Sequence, residues 1–239
     1  MTESTIFGKL RAEISKHDKP ANRLNYQRFF KEKLKDPYGL KTPILRKISN
    51  DCYKEIKDLP KNEVLKICNK LLAGGERYSR FFAFDWAVKV KSEYEKKDIK
   101  RFESWLNKYV DGWSSCDHLC GGPLGYLFLS YPGLSVRTIN WAKSTSRWLK
   151  RAAAVSLILP VRKGILLDRV FEIADMLLTD RDDLVQKGYG WMLKEANDYF
   201  PKEVFAYIIK NKQVMPRTAL RYAIEKLPEA KRRQAMSRK

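Results

Sequence analysis

The sequence predicts an all-α protein, and three observations predict it. Apolar residues recur at helical spacing through most of the chain. The period-2 alternation of a half-buried strand never lasts. No Asn-Gly or Asp-Gly pair sits between β-branched runs, so hairpin turns have no candidate; Asp111-Gly112 reads instead as a helix-to-helix turn.

Pro20, Pro43, Pro60, Pro201 and Pro216 each stand near the start of an apolar-periodic segment, where a missing N–H costs little. Leu166, Val170, Ile173, Ala174 and Leu177 form one helix face. Val185, Tyr189, Met192, Leu193 and Ala196 form another, and Leu220, Ala223, Ile224 and Leu227 a third. The pattern gives roughly 12 to 14 helices of about 10 to 16 residues on short turns. Helix pairs recur about every 35 to 45 residues, the range of HEAT-type repeats. A compact bundle and a stacked solenoid both accommodate this. The spacing favours an α-solenoid of HEAT-like helical repeats, curved, with a concave basic face suited to a rod-like polyanion. The expected organisation is a single helical-repeat domain over residues 1–239, with a basic tail after Pro228.

Of the 239 residues, 44% are hydrophobic, enough to bury a sizeable core, and 32% are charged. The formal charge is +20. A field of that sign attracts polyanions, and nucleic acid comes first because every phosphate contact releases condensed counterions. A membrane surface comes second, but no apolar run approaches the roughly 20 residues that span a bilayer. Met1–Ile6 lacks the basic and apolar regions of a secretory signal. Cys52, Cys68, Cys116 and Cys120 are too few for a disulfide scaffold in a chain of this length. These features predict an intracellular protein, in cytoplasm and nucleoid or in a nucleus.

The segment YVDGWSSCDH, Tyr109 to His118, concentrates unusual side chains. A helix that begins near Trp113 places Trp113 and Asp117 at i and i+4, on one face. Core packing by Trp113 and capping or pairing by Asp117 explain the spacing as well as chemistry does. In KGYGWMLKEA, Trp191 falls off the apolar stripe and lies between Lys187 and Lys194. An aromatic on a basic face suits nucleic-acid contact; the edge of a helix–helix interface is the other reading. Basic stripes recur at Arg147 and Arg151, at Arg217 and Arg221, at Lys41, Arg46 and Lys47, and at Arg77 and Arg80. One stripe is usually a solvated face, but several in so basic a chain predict a shared phosphate-tracking surface. Cys116, His118 and Cys120 resemble a metal cluster only superficially, since a closed zinc site needs four placed ligands. No Walker loop or GxGxxG is present, and nothing in the sequence orients His17 or His118 for a nucleophilic triad.

In their joint order these motifs resemble the AlkD-type DNA alkylpurine glycosylases, a HEAT-like-repeat family, from about Phe7 to Pro228. The resemblance is carried by Tyr38-Gly-Leu-Lys-Thr-Pro43, Trp113-x3-Asp117, Lys150-Arg-Ala-Ala153, Gly190-Trp-Met-Leu-Lys-Glu195 and Arg221-Tyr-Ala-Ile224. It implies Asp117, Trp113 and Trp191 as catalytic residues and Arg151 as a DNA contact. With it, Lys41, Arg147, Lys187, Lys194, Arg217 and Arg221 become the expected DNA-binding set. Gly112 before Trp113, Ser114 after it, and Lys41 where glutamine is familiar are departures that bear on substrate preference.

The activity so implied is excision of cationic N3- or N7-alkylated purines from duplex DNA in base excision repair. The leaving base is already cationic and needs no strong acid. A carboxylate would instead stabilise the oxocarbenium-like sugar, as in glycosidases, and the two indole faces would lie against the electron-poor sugar or base. Most glycosylases flip the base; the resemblance implies backbone contact with the lesion left largely in the duplex. The expected protein is a monomer that takes no cofactor or metal. A non-catalytic HEAT-repeat protein that binds damaged or structured DNA is the alternative, and a scaffold for acidic proteins is third.

Overall fold

A computed structural model describes residues 3–28, 39–76 and 78–237. Arg77 and Tyr38, singled out above, lie outside the described residues. Those residues contain no strand, as the missing alternation predicted. They form two compact units, Met1–Glu93 and Tyr94–Lys239.

The first unit comprises α1 (Glu3–His17), α2 (Pro20–Gln27), α3 (Thr42–Tyr53), α4 (Lys61–Gly74) and α5 (Ser79–Lys89). Its core is aromatic and aliphatic. Trp86 of α5 is fully buried beside Tyr53 and Phe82, and its indole N–H donates to the Ser49 carbonyl at 3.2 Å. Pro43 occupies the first turn of α3 and Pro60 the N-cap of α4. Gly75 ends α4 with φ +67, the left-handed position that glycine adopts without a Cβ penalty.

The second unit begins with α6 (Ile99–Tyr109), whose inner face buries Ile99, Phe102, Trp105 and Leu106. There follow α7 (Trp113–Leu119), α8 (Gly125–Ser130), α9 (Arg137–Ala142), α10 (Arg147–Val155), α11 (Ile158–Val161) and α12 (Leu167–Leu177). The unit closes with α13 (Asp183–Ala196), α14 (Pro201–Asn211), α15 (Arg217–Ala223) and α16 (Glu229–Met236). Several helices are shorter than the expected 10 to 16 residues. Gly121-Gly122-Pro123, Pro132-Gly133 and Pro160 explain this: each interrupts a periodic run, and the first becomes a π turn, Cys120–Leu124. The basic segment after Pro228 forms α16, with Ala235 buried.

α13 is the hub, packed against α10, α11, α12 and α15. Asp182 caps it, accepting from the backbone N–H groups of Leu184 and Val185 at 2.9 and 3.2 Å. Its predicted stripe of Val185, Tyr189, Met192, Leu193 and Ala196 is fully buried. Burial of each large apolar side chain there contributes roughly 1.5–3 kcal/mol.

Two glycines inside α13 cost helix propensity and are used for close approach. A Cβ on Gly188 would meet Arg151 Cγ at 3.2 Å; one on Gly190 would meet the Ala219 carbonyl of α15 at 2.6 Å. Gly190→Ala therefore forces α13 and α15 apart and should destabilise by about 1–3 kcal/mol. Gly74→Ala, where a Cβ meets nothing within 4 Å, should be neutral or stabilise by about 0.4–1 kcal/mol. Urea midpoints of the two variants test the contrast.

Candidate functional site

Helix α7 begins at Trp113, so Trp113 and Asp117 lie on one face as the spacing predicted, both half-buried. Asp117 meets Arg151 of α10. Arg151 Nε donates to Oδ1 and Nη2 to Oδ2, each at 2.8 Å, a bidentate fork. The remaining Nη1 donates to the Leu184 carbonyl in the first turn of α13. Arg151 is thus buried, with 7% of its side chain exposed against 19% for Asp117. The sequence places Arg151 with Arg147 on a basic stripe expected to track phosphates, and the family resemblance implies it as a DNA contact. Its guanidinium instead stitches α7, α10 and α13 together, lying over Gly188.

Burial pushes the Asp117 carboxyl above its ordinary value, and the Arg151 guanidinium opposes that shift. Each carboxylate oxygen spends one hydrogen bond on the fork and keeps further acceptor capacity. The group that results is a fixed, partly exposed carboxylate beside a half-buried indole. The π turn begins three residues beyond it. Cys116 and Cys120 flank Asp117 as buried thiols, Sγ to Sγ 4.0 Å, and Cys116 Sγ donates to the Trp148 carbonyl.

Trp191 lies on α13, one turn beyond Gly188, half-buried and off the core stripe. Its Nε1–H donates to Glu195 Oε1 at 3.0 Å. Glu195 is buried, and its Oε2 accepts from Arg162 Nε at 2.9 Å and Lys226 Nζ at 3.0 Å. Glu195 ends the Gly190-to-Glu195 motif, where the sequence assigns it no role. The i, i+4 spacing from Trp191 was the available signal; Arg162 and Lys226 reach it only through the tertiary fold.

The expected DNA-binding side chains separate into two groups. Arg147 pairs with Asp182 at 2.7 Å, Lys187 with Asp183 at 3.3 Å and Lys194 with Glu225 at 3.0 Å. Lys150 likewise meets Asp180 at 2.7 Å. Much of the basic stripe on α10 and α13 is therefore matched by acids at the start of α13, while Arg217 donates to the Met236 carbonyl at 3.3 Å. Lys41 and Arg46 at the start of α3, and Arg221 on α15, are exposed. Arg221, Arg232 and Arg233 line a surface cleft of about 380 Å³ between α15 and α16, floored by Ile224 and Met236. Two acids share it: Glu225, held by Lys194, and Glu229, 3.8 Å from Arg232.

Among the described residues no group of three or more His, Cys, Asp or Glu side chains could hold a metal. No helix among them is long and apolar enough to cross a membrane.

Against known families, residues 10–227 match the family described as DNA alkylation repair enzyme. The chain belongs to that family. Membership identifies the chain with enzymes of DNA alkylation repair, which act on DNA. The fold agrees with the assignment. A solved structure described as a predicted DNA alkylation repair enzyme from Enterococcus faecalis superposes with a TM-score of 0.77 at 16% identity. The match covers 89% of this chain and 98% of that one. At that identity the likeness shows the fold alone: all-α, and fitting the α-solenoid expected from the helix pairs. A comparison with curated proteins found no match.

Proposed function

We propose that this member of the family is a DNA glycosylase that releases cationic N3- or N7-alkylated purines from duplex DNA, with Asp117 as the charge that stabilises the breaking glycosidic bond. The observation that carries the reading is the Asp117–Arg151 fork, a carboxylate held in one orientation by two 2.8 Å hydrogen bonds yet still partly open. Trp113 shares its helix face, and Arg151 ties it to the helix that carries Trp191.

The chemistry follows from charge. As the bond to the alkylated base lengthens, positive charge grows on the deoxyribose. A preorganised carboxylate beside the sugar stabilises that charge more than it does the ground state, in which the positive charge sits on the base, so it lowers the barrier. The base leaves neutral with the bonding electron pair; water then adds to the sugar carbon and gives up its extra proton to bulk water. The remaining acceptor sites of Asp117 suit it to orient that water. Trp113 and Trp191 offer π faces to the cationic region. In this reading Arg151 is a positioning residue rather than an exposed phosphate contact, and the duplex is held by exposed cations such as Arg221.

The deciding experiment is single-turnover incubation with duplex containing N7-methylguanine, following free base. Release supports the reading. Binding without release leaves the non-catalytic alternative, which a fork of this kind also fits if its role is structural. Binding should be salt-sensitive, with log K falling against log salt by roughly 0.9 per phosphate neutralised. Replacing Arg221 and Arg233 together with alanine should lower that slope by about 1–2, measured by fluorescence anisotropy on undamaged duplex. An unchanged slope removes the α15–α16 cleft from the interface.

A further inference from the structure

Glu195 is a carboxylate whose two oxygens have separate duties. Oε1 faces Trp191, one turn back on α13, and accepts its indole N–H at 3.0 Å. Oε2 faces away and accepts from Arg162, which follows α11, and from Lys226, which follows α15. Lys226 is itself held by Asp198 at 2.6 Å. Only 7% of the Glu195 side chain is exposed. Three donors on one carboxylate leave it a single rotamer. The indole carries one donor, and the torsion about its Cβ–Cγ bond is broad and roughly two-fold. A fixed acceptor for that donor selects one ring plane.

Packing alone would not call for this arrangement. A buried ion pair contributes little net stability, and a well-packed apolar side chain serves a helix–helix contact as well or better. What Glu195 supplies here that an apolar side chain cannot is an anchored acceptor pointed at Nε1. Burial raises the Glu195 carboxyl, but the hydrogen bonds from Arg162 and Lys226 outweigh it and bring the group below its ordinary value, so it stays an acceptor through the neutral range.

We infer that Glu195 is a positioning residue: it sets the plane of the Trp191 ring at the candidate site, and Arg162 and Lys226 hold it in place to do so. The inference rests on the assignment of Trp191 to that site.

The test is a double-mutant cycle with a second, DNA-independent readout. Glu195→Ala should lower single-turnover release of N7-methylguanine about tenfold while duplex affinity changes less than about twofold. In a Trp191→Phe background, which keeps an aromatic ring and removes the N–H, the same change should cost less than about twofold, because its target is gone. Glu195→Gln, which keeps an acceptor, should recover most of the loss. An equal loss in both backgrounds, or no loss in either, overturns the inference. Trp191 emission is isolated as the difference between proteins with and without Trp191→Phe. Its anisotropy should fall in Glu195→Ala, and unchanged anisotropy also overturns the inference. If Glu195→Ala does not fold, Arg162→Met with Lys226→Met is read the same way. If the wild-type protein releases no base, the glycosylase reading fails while the emission still decides the role of Glu195.

Discussion

Asp117→Asn should reduce single-turnover release of N7-methylguanine by about 100-fold or more, the scale on which removal of one preorganised charge acts. Duplex affinity should change little, because no phosphate contact is lost. The fork adds a stability cost that the sequence did not announce. Asparagine leaves the Arg151 guanidinium buried beside a neutral amide, so a lower urea midpoint is expected as well. Release must therefore be compared at a temperature where circular dichroism shows both proteins folded. Wild-type release by a folded Asp117→Asn protein would end the catalytic assignment.

The same proposal fixes the sign of the acid limb. A carboxyl raised by burial takes up its proton above the ordinary value of 3.8. Release that needs the ionised form should thus fall on acidification with a midpoint above that value. Burial raises the Glu195 carboxyl, but Arg162 and Lys226 outweigh it and shift the group downward; with Asp117 as the group whose ionised form the reaction needs, Glu195→Gln should leave the midpoint in place.

Arg151→Ala should be the most destabilising substitution in the site. It leaves the Asp117 carboxylate and the Leu184 carbonyl without their donor and opens space over Gly188. Removing one partner of a buried pair costs about 3–5 kcal/mol, roughly 10 °C in melting temperature for a chain of this size. Arg151→Lys should not restore it, since an ammonium cannot fork onto both oxygens and reach Leu184. Where Arg151→Lys folds, the acid limb of release should move up in pH. A melting temperature within about 2 °C of wild type for Arg151→Ala would show the fork to be dispensable to the fold.

The helices were legible because their causes are local. The α13 stripe, the start of α7 at Trp113 and the prolines at helix starts all follow from spacing within one turn or two. The candidate site was legible only in part. Trp113 with Asp117, and Trp191 off its stripe, are single-helix facts. The burial of Arg151 is not: its partners stand 34 and 33 positions away, and a basic side chain at i+4 from another looks the same whether it faces solvent or a carboxylate. The pairing of Arg147 and Lys150 with Asp182 and Asp180 was hidden for the same reason. Glu195 was within reach, because its link to Trp191 is an i, i+4 pair, yet a glutamate beside lysines reads as surface until Arg162 and Lys226 arrive from elsewhere in the fold.

The acids at the start of α13 also change what the +20 charge can do for binding. A phosphate that approaches Arg147 or Lys187 meets a cation already engaged, and must displace Asp182 or Asp183 to gain it. Such an exchange sets a freed carboxylate beside the DNA, which repels it and claims a counterion of its own. If these positions contact DNA as proposed, the pairs would disfavour a loosely placed polyanion and favour one seated closely enough to replace the carboxylates. Asp182 also caps α13, so a duplex that draws Arg147 away leaves the cap intact but strips its cationic partner. Contact with the backbone would in that way reach the first turn of the helix on which Leu184 holds Arg151 and, through it, Asp117.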